Sequence, residues 1–369
     1  MTALPLDGFV VGITADRRWS EQAELLRRRG AEVVHGPSIA TAYLASDEVL
    51  RAATVALVDD PPAYLAATTG IGIRAWLEAA QSWGLGDALL GALGGSRIVA
   101  RGPKAAAAVQ AAGLPVWRSA ANEQMDQLVG HLLAEPLDGV RVAVQLYGMP
   151  APEVTGALAA AGAVVLEVPV YQWRSPDDPG PALRLAQAVI DGKLHAVTFT
   201  AAPAVTNLFA LAVEAGMEEP LRDAFNRRGV VAACVGPVCA RGALQSGILA
   251  PLVPEVGRLG LLVRALSERL VGDRRTVPMA GVDVVLQGLV ALVGEDRVRL
   301  NCRERALLDT LAARPGTVFS RPALVREVWS ATGADPHAVE VAIARLRPRL
   351  GPAGAGLVAV PGRGYRLEP

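Results

Sequence analysis

The sequence predicts an α/β protein: a body of two pseudo-repeated parallel-sheet halves, followed by a smaller basic module of strands and three helices. Three observations carry that prediction. Short β-branched runs alternate with helical patterns up to about residue 270, the pattern of βαβ units on a parallel sheet. Several segments recur at a nearly constant offset. The charge is also divided: from Asp296 to the end, twelve Arg and no Lys face seven acidic residues, about +5, leaving about −5 on the rest of a chain with no net charge. A basic end on an acidic body directs a polyanionic partner to that end alone.

In the body, Val10-Val-Gly-Ile-Thr14, Ala53-Thr-Val-Ala-Leu-Val58, Val140-Arg-Val-Ala-Val144 and Ala196-Val-Thr-Phe-Thr200 read as strands. Ser20 to Arg29, Ala105 to Ala112, Pro203 to Ala215 and Leu259 to Leu270 read as helices. Helices stop at Gly30, Gly113, Gly162 or Gly216, where a left-handed cap costs least. The halves match each other. Gly30-Ala-Glu-Val-Val-His-Gly-Pro37 recurs as Gly162-Ala-Val-Val-Leu-Glu-Val-Pro169 at an offset of 132. Arg101-Gly-Pro-Lys-Ala with Gly113-Leu-Pro is echoed by Val235-Gly-Pro-Val-Cys with Gly247-Ile-Leu at an offset of 134, and Thr68 falls opposite Thr200. One such match is easily chance in a Gly- and Ala-rich chain; four in the same order indicate a duplication.

At 369 residues the chain exceeds one typical core, and 51% apolar with 20% charged residues excludes a disordered or fibrous protein. No apolar run is long enough to span a bilayer and the first residues lack the basic stretch of a secretory signal, so a cytoplasmic protein without a membrane partner is expected. Cys234, Cys239 and Cys302 show no paired spacing and read as packing residues. His35, His131, His195 and His337 are scattered, so neither a metal nor another cofactor is expected.

From about Val277 the pattern changes. A short polar linker is expected over 273–281. Val282 to Val293 with Arg297-Val-Arg-Leu300 reads as a hairpin or small meander around Gly294-Glu-Asp296. Arg303 to Ala313 is a first helix with Leu307, Leu308 and Leu311 inward. Ser320 caps a second that runs to Trp329, with Pro322 in its first turn. Asp335 caps a third, followed by Pro336. Val339, Ile343, Leu346 and Leu350 give this helix one buried stripe. Its other face carries His337, Val341, Ala344 and Pro348, flanked by Arg345, with Arg347 and Arg349 nearer the edge. Small residues and guanidinium groups on one face suit a DNA major groove.

Residues 282–367 resemble the winged helix-turn-helix effector domain of OmpR/PhoB-type regulators. The resemblance rests on Arg303-Glu-Arg-Ala-Leu-Leu308, Ser320-Arg-Pro-Ala-Leu324, Val328-Trp329, Val339-Glu-Val-Ala-Ile-Ala-Arg-Leu-Arg347 and Val360-Pro-Gly-Arg-Gly-Tyr-Arg-Leu367. It implies that the third helix enters the major groove and that the terminal hairpin is the wing, its turn shaped by Gly362 and Gly364. The candidate DNA contacts it implies are His337, Ala344, Arg345, Arg347, Arg349 and Arg363, with Tyr365 packing. Pro348 departs from the family: it replaces a basic residue and removes a helical hydrogen bond, which predicts an early end to the helix. An arginine-rich protein-docking module is the alternative, and the wing motif argues against it.

Residues 1 to about 270 resemble the uroporphyrinogen-III synthase (HemD) family through Gly8-Phe-Val-Val-Gly-Ile-Thr14, Arg101-Gly-Pro-Lys104, Val170-Tyr171, Ala196-Val-Thr-Phe-Thr-Ala-Ala202 with Val205 and Leu208, and Val235-Gly-Pro237. The resemblance implies a discontinuous first domain, 1–38 with 172–272, and a second over 39–171, joined by crossing strands near Pro37 and Pro169; the DNA-binding domain is then 282–369. It implies a cleft for a carboxylate-rich linear tetrapyrrole held by backbone amides at helix N-termini. Thr14, Thr68, Thr69, Gly102, Thr200 and Gly236 become candidate ligand contacts. Tyr171 aligns with the tyrosine often given the role of proton donor to the leaving hydroxyl. It is a candidate catalytic and ligand residue, or else a packing tyrosine at the cleft edge.

The chain departs from the synthase pattern where polar groups are expected. Ala15-Asp16 displaces an Arg after Thr14, Ala201 replaces a Ser, Ala105 and Cys239 replace the Thr after each Gly-Pro pair, and Gln145-Leu-Tyr-Gly148 replaces an Arg-Gly turn. These losses bear on turnover more than on fold.

Over its full length the chain resembles actinobacterial regulators of nitrate and nitrite assimilation. That implies a transcription regulator whose HemD-like body senses a ligand, with promoter DNA and a tetrapyrrole or other small anion as partners and a homodimer or partner regulator open. A phosphoreceiver is disfavoured, because the acidic pair and acceptor Asp expected after early strands are missing. The alternative is a working synthase that closes hydroxymethylbilane into its cyclic product, with an appended DNA-binding domain.

Overall fold

The computed structural model describes residues 4–43, 48–121, 124–329, 335 and 337–369; Pro336, expected in the first turn of the third C-terminal helix, lies outside them. The chain divides into two compact units, Met1–Ile39 with Ser175–Pro369, and Ala40–Arg174.

The first unit begins with β1 (Val10–Ile13), α1 (Trp19–Arg27) and β2 (Glu32–His35). All four residues of β1 are buried, as a β-branched run covered on both faces must be. After α1 the chain turns at Gly30, whose φ of 96° only glycine adopts cheaply.

The second unit holds β3 (Ala40–Tyr43), α2 (Glu48–Asp59), β4 (Tyr64–Ala67), α3 (Gly70–Ser82), α4 (Gly86–Gly94), β5 (Arg97–Ala100), α5 (Pro103–Ala111), β6 (Val116–Ser119), α6 (Met125–Leu133), β7 (Arg141–Gly148), α7 (Pro152–Ala160) and β8 (Val164–Arg174). Its sheet runs β3-β8-β7-β4-β5-β6, parallel except for the β3–β8 pair. The run Ala53–Val58, expected as a strand, lies within α2. Leu50, Ala53, Thr54 and Leu57 form the buried face of that helix, and their spacing is helical. Trp76, wholly buried on α3, donates its indole N–H to the Thr54 hydroxyl at 2.9 Å, which donates onward to Leu50 O at 2.7 Å.

The chain then returns to the first unit through α8 (Gly180–Ile190), β9 (Ala196–Phe199), α9 (Ala202–Glu214), α10 (Glu218–Asn226), β10 (Val231–Cys234), α11 (Pro237–Gln245) and α12 (Leu259–Val271). The four parallel strands run β10-β9-β1-β2. Read outward from β2 and from β8, the sheets are β2-β1-β9-β10 and β8-β7-β4-β5. The duplication seen in the sequence is therefore a duplication of topology. Gln172, Trp173 and Arg174 pair with β3 and so belong to the second unit. Pro169 lies inside β8, the strand that runs up to the boundary at Arg174 and Ser175.

The C-terminal module consists of β11 (Arg275–Met279), β12 (Val282–Gln287), β13 (Val290–Val293), β14 (Asp296–Arg299), α13 (Cys302–Ala313), α14 (Arg321–Val328), α15 (His337–Arg349), a short 3-10 turn over 351–356, β15 (Leu357–Val360) and β16 (Gly364–Leu367). The expected linker over 273–281 carries β11, so the antiparallel meander has four strands. The run Val282–Val293 is broken at Gly288, φ 51°. Asn301 and Glu304 form a reciprocal capping box at the start of α13, and the Ser320 hydroxyl accepts the Ala323 N–H at 3.3 Å. Val339, Ile343, Leu346 and Leu350 are buried as one stripe. Pro348 does not end α15, which continues through Arg349; a proline in the last turn forfeits one hydrogen bond without interrupting those before it. Among the described residues no helix is long and apolar enough to cross a membrane.

Candidate functional site

In each sheet the strands open into helix N-termini at their C-terminal edge, the edge that binds ligands in open α/β sheets. In the first unit that edge carries Thr14 after β1, His35 at the end of β2, Thr200 after β9 and Gly236 after β10. In the second it carries Thr68 and Thr69 after β4 and Gly102 after β5. The expected ligand residues thus gather at two edges, one per unit. Tyr171 is placed differently: it lies on β8, 5% exposed, in an apolar cluster with Leu50, Ile73, Trp76 and Val170, and its ring meets Trp173 edge-on at 6.1 Å.

The hydroxyls of Thr14, Thr68 and Thr69 are turned into the protein. Thr14 donates to Thr198 O at 2.8 Å, Thr68 donates to Gln145 O at 2.8 Å, and Thr69 caps α3 by accepting the Gly72 N–H at 3.2 Å. Gln145, wholly buried on β7, fills the same place. Its carboxamide oxygen accepts the backbone N–H of Thr68 at 3.1 Å and of Thr69 at 3.2 Å, and its nitrogen donates to Thr69 Oγ1 at 3.0 Å and Leu146 O at 3.3 Å. Gly72 makes room, since a Cβ there would lie 1.8 Å from Gln145 Nε2. An amide pair of the kind that takes a carboxylate at a helix N-terminus is occupied by the protein's own carbonyl.

The first unit lacks this plug. The registers pair Ile13 with Thr198 and Val144 with Ala66, so Thr14 is the counterpart of Gln145. At α9, N-cap Ala201 offers no side-chain cap, and at α5 and α11 the N-caps Gly102 and Gly236 are each followed by proline. Sequence reasoning missed two other features of these edges. Trp19 stacks on His35 at 4.1 Å and 12°, with His35 Nε2 2.8 Å from Ala15 O. The Arg101 guanidinium lies over the Tyr147 ring at 5.5 Å. Cys234 and Cys239 are buried beside Gly236; their mutual hydrogen bond, with burial, pushes the Cys239 thiol up, the opposite of an activated nucleophile.

The second candidate site is the exposed side of α15 with the wing. His337, Ala344, Arg345 and Arg363 are exposed, and among the described residues no ion pair ties Arg345 or Arg363. His337 Nδ1 lies 3.1 Å from Glu340, which also pairs with Arg321 at 2.8 Å. Arg347 and Arg349 are engaged inside the module. Arg347 donates through Nε, at 2.8 Å, and Nη2 to Leu357 O on β15. Arg349 donates to the buried Glu304 carboxylate at 2.8 Å and to Arg299 O. Arg326, exposed on the last turn of α14, was missed because its helix was read only for packing. The wing is fixed at its base: Phe319 and Tyr365 exchange backbone hydrogen bonds at 2.8 and 3.0 Å, and Tyr365 is buried as packing.

The comparisons with known proteins agree with this division. A family model described as uroporphyrinogen-III synthase HemD matches residues 20–264, and one described as transcriptional regulatory protein, C terminal, matches residues 294–367. The uncharacterized protein YjjA of Bacillus subtilis is 30% identical over 264 residues, covering 71% of this chain and 96% of that protein. A crystal structure of a mutant uroporphyrinogen III synthase from Thermus thermophilus is similar with a TM-score of 0.56 at 33% identity, covering 70% of this chain and 99% of that one. The chain belongs to the uroporphyrinogen-III synthase HemD family and carries at its C-terminus an OmpR/PhoB-type DNA-binding domain of transcription regulators.

Proposed function

We propose that the protein is a transcription regulator whose HemD body binds a small anionic ligand, a tetrapyrrole or a molecule of similar carboxylate content, and whose α15 and wing bind promoter DNA. The observation that carries it is the contrast between the ends of the chain. The winged module presents Arg345 and Arg363 outward, where guanidinium groups reach bases and phosphates. The body has turned Thr14, Thr68, Thr69 and Gln145 inward. A ligand held at the open helix ends of the first unit and a DNA site on the same chain couple through their differential affinities for its conformations. Control of nitrate and nitrite assimilation or of tetrapyrrole-linked genes fits this chemistry, since uroporphyrinogen III is the precursor of the cofactor of assimilatory nitrite reductase.

The synthase reading is favoured by family membership and opposed by the burial of Tyr171 among apolar side chains, where a proton donor is poorly placed to meet a polar substrate. A direct assay separates the two. Purified protein is expected to leave hydroxymethylbilane to its uncatalysed ring closure and to select specific fragments from the genome of its source. Rapid conversion to the type III isomer, abolished by Tyr171→Phe, overturns the regulatory reading of the body.

A further inference from the structure

The DNA-binding module is docked on the body by its sheet. The surface that receives it is the N-terminal edge of the first unit's strands, opposite the edge with Thr14, Thr200 and Gly236. It consists of the Leu4–Phe9 segment leading into β1 and of Glu32, the first residue of β2. Leu289 donates its backbone N–H to Gly8 O at 2.7 Å. Gln287, 1% exposed, reaches three carbonyls of that segment with its Nε2: Asp7 at 2.7 Å, Leu4 at 3.2 Å and Pro5 at 3.4 Å. Arg297 pairs with Asp7, and Arg299 with Glu32 at 2.6 Å. The backbones touch. A Cβ on Gly288 would lie 2.3 Å from Gly8 O, and one on Gly8 would lie 2.6 Å from Gln287 O. The exposed ion pairs add little; the backbone bond, the buried amide and the glycine contact hold the joint.

The same joint holds the recognition helix. Arg349, in the last turn of α15, donates to the carbonyl of Arg299, the residue whose side chain pairs with Glu32. Its other nitrogen holds Glu304 of α13, and Arg305, one residue on, donates to Gly288 O at the contact with Gly8. The end of α15 is thus tied to the strand and the turn that rest on the body. A helix fixed in this way cannot shift without disturbing β14 or the Leu4–Gly8 segment.

We propose that this docked sheet is the mechanical link between the first unit and the DNA-binding surface: the module is a fixed extension of the body, and the Leu4–Gly8 segment sets the position of α15. The proposal rests on the reading of α15 as the DNA-contacting helix, and the test separates the two.

The experiment compares backbone hydrogen exchange in the full-length protein with two variants that loosen the joint, Gly8→Ala and Gln287→Ala. Thr54→Ala, in the second unit, serves as a control for general destabilisation. The expected result is exchange at least tenfold faster at Leu289 and Val290 and also at Leu346, Arg347, Arg349 and Leu350, with α3 unchanged, while the control leaves α15 as it is. Binding to the tightest genomic fragment is expected to weaken at least threefold in both joint variants. Faster exchange confined to Leu289 and Val290, with α15 and affinity unaltered, overturns the proposal. So does unaltered exchange throughout. If Gly8→Ala does not fold, Gln287→Ala decides alone. If the unmodified protein selects no fragment, the DNA reading fails, and the response of α15 to the joint still decides the link.

Discussion

Gln145 meets Thr69 as a ligand group meets a helix N-terminus: its carboxamide oxygen accepts the Thr69 N–H at 3.2 Å while its nitrogen donates to the Thr69 hydroxyl at 3.0 Å. The same oxygen holds Thr68 N, so Gln145→Ala leaves two backbone donors without an acceptor. At about 1–3 kcal/mol for each buried unpaired group, the loss should total roughly 2–6 kcal/mol. Thr14→Ala, at the equivalent position of the first unit, removes one hydroxyl bond and should cost only about 1 kcal/mol. Urea unfolding with the slope held in common measures both. An equal loss at the two positions would show that the plug is incidental.

The His195 ring lies before β9, against Phe9 at 5.2 Å, with its Nδ1 accepting the Val10 N–H at 3.0 Å. Burial, together with the nearby Arg305 guanidinium, lowers its pKa from 6.5 to about 4, against smaller opposing effects of Asp273 and Glu32. The folded state therefore binds fewer protons than the unfolded chain between those values. Stability from this group is complete above pH 6.5 and is lost as pH falls to about 4, by up to about 3 kcal/mol. Substituting His195 by Gln should flatten this part of the profile. Thermal unfolding from pH 7.5 to 4 is the measurement, and an unchanged slope in the variant refutes the assignment.

The duplication was legible because it is written in residues that backbone geometry demands. Gly30 and Gly162 both take positive φ, and Gly102-Pro103 and Gly236-Pro237 both start helices. The winged module was legible for a similar reason: its buried stripe, its capping serine and its wing glycines are local signals. What was not legible depended on partners distant in sequence. Ala53–Val58 has a strand's composition but packs with helical spacing against α4 and β8. Gln145 read as a departure from a pattern, and only the fold brings it to Thr68 and Thr69. Arg347 and Arg349 share a helix and a charge with Arg345, and nothing in their spacing shows that β15 and Glu304 take them up.

That difference among the arginines is measurable. Arg345→Ala should weaken binding to a selected fragment about 5- to 100-fold, the range for loss of a base or phosphate contact, without lowering the unfolding midpoint. Arg349→Ala should do the reverse. It takes the partner from one oxygen of the buried Glu304 carboxylate, the other staying bonded to the Asn301 N–H, and should cost about 1–3 kcal/mol of stability, with a smaller direct effect on affinity. Fluorescence anisotropy and thermal unfolding of the two variants decide the matter. A stability loss at Arg345 as large as at Arg349 would mean that both are structural.

The wing offers the sharpest steric test. Gly364 has φ of 137°, and a Cβ there would lie 2.0 Å from the carbonyl oxygen of Phe319. That oxygen accepts the Tyr365 N–H at 3.0 Å, so it cannot withdraw without breaking the bond that fixes the wing to the segment before α14. Gly362, at the tip, also has positive φ, 69°, but nothing lies within 4 Å of its would-be Cβ. Gly362→Ala should therefore cost only the left-handed penalty, about 1 kcal/mol. Gly364→Ala should cost about 2–4 kcal/mol through strain and loss of the Phe319–Tyr365 exchange. DNA affinity should follow the same order, because Arg363 lies between the two glycines and keeps its position only while the base of the hairpin holds. Unfolding midpoints and fragment affinities for the two variants test this, and a larger effect at Gly362 than at Gly364 would contradict it.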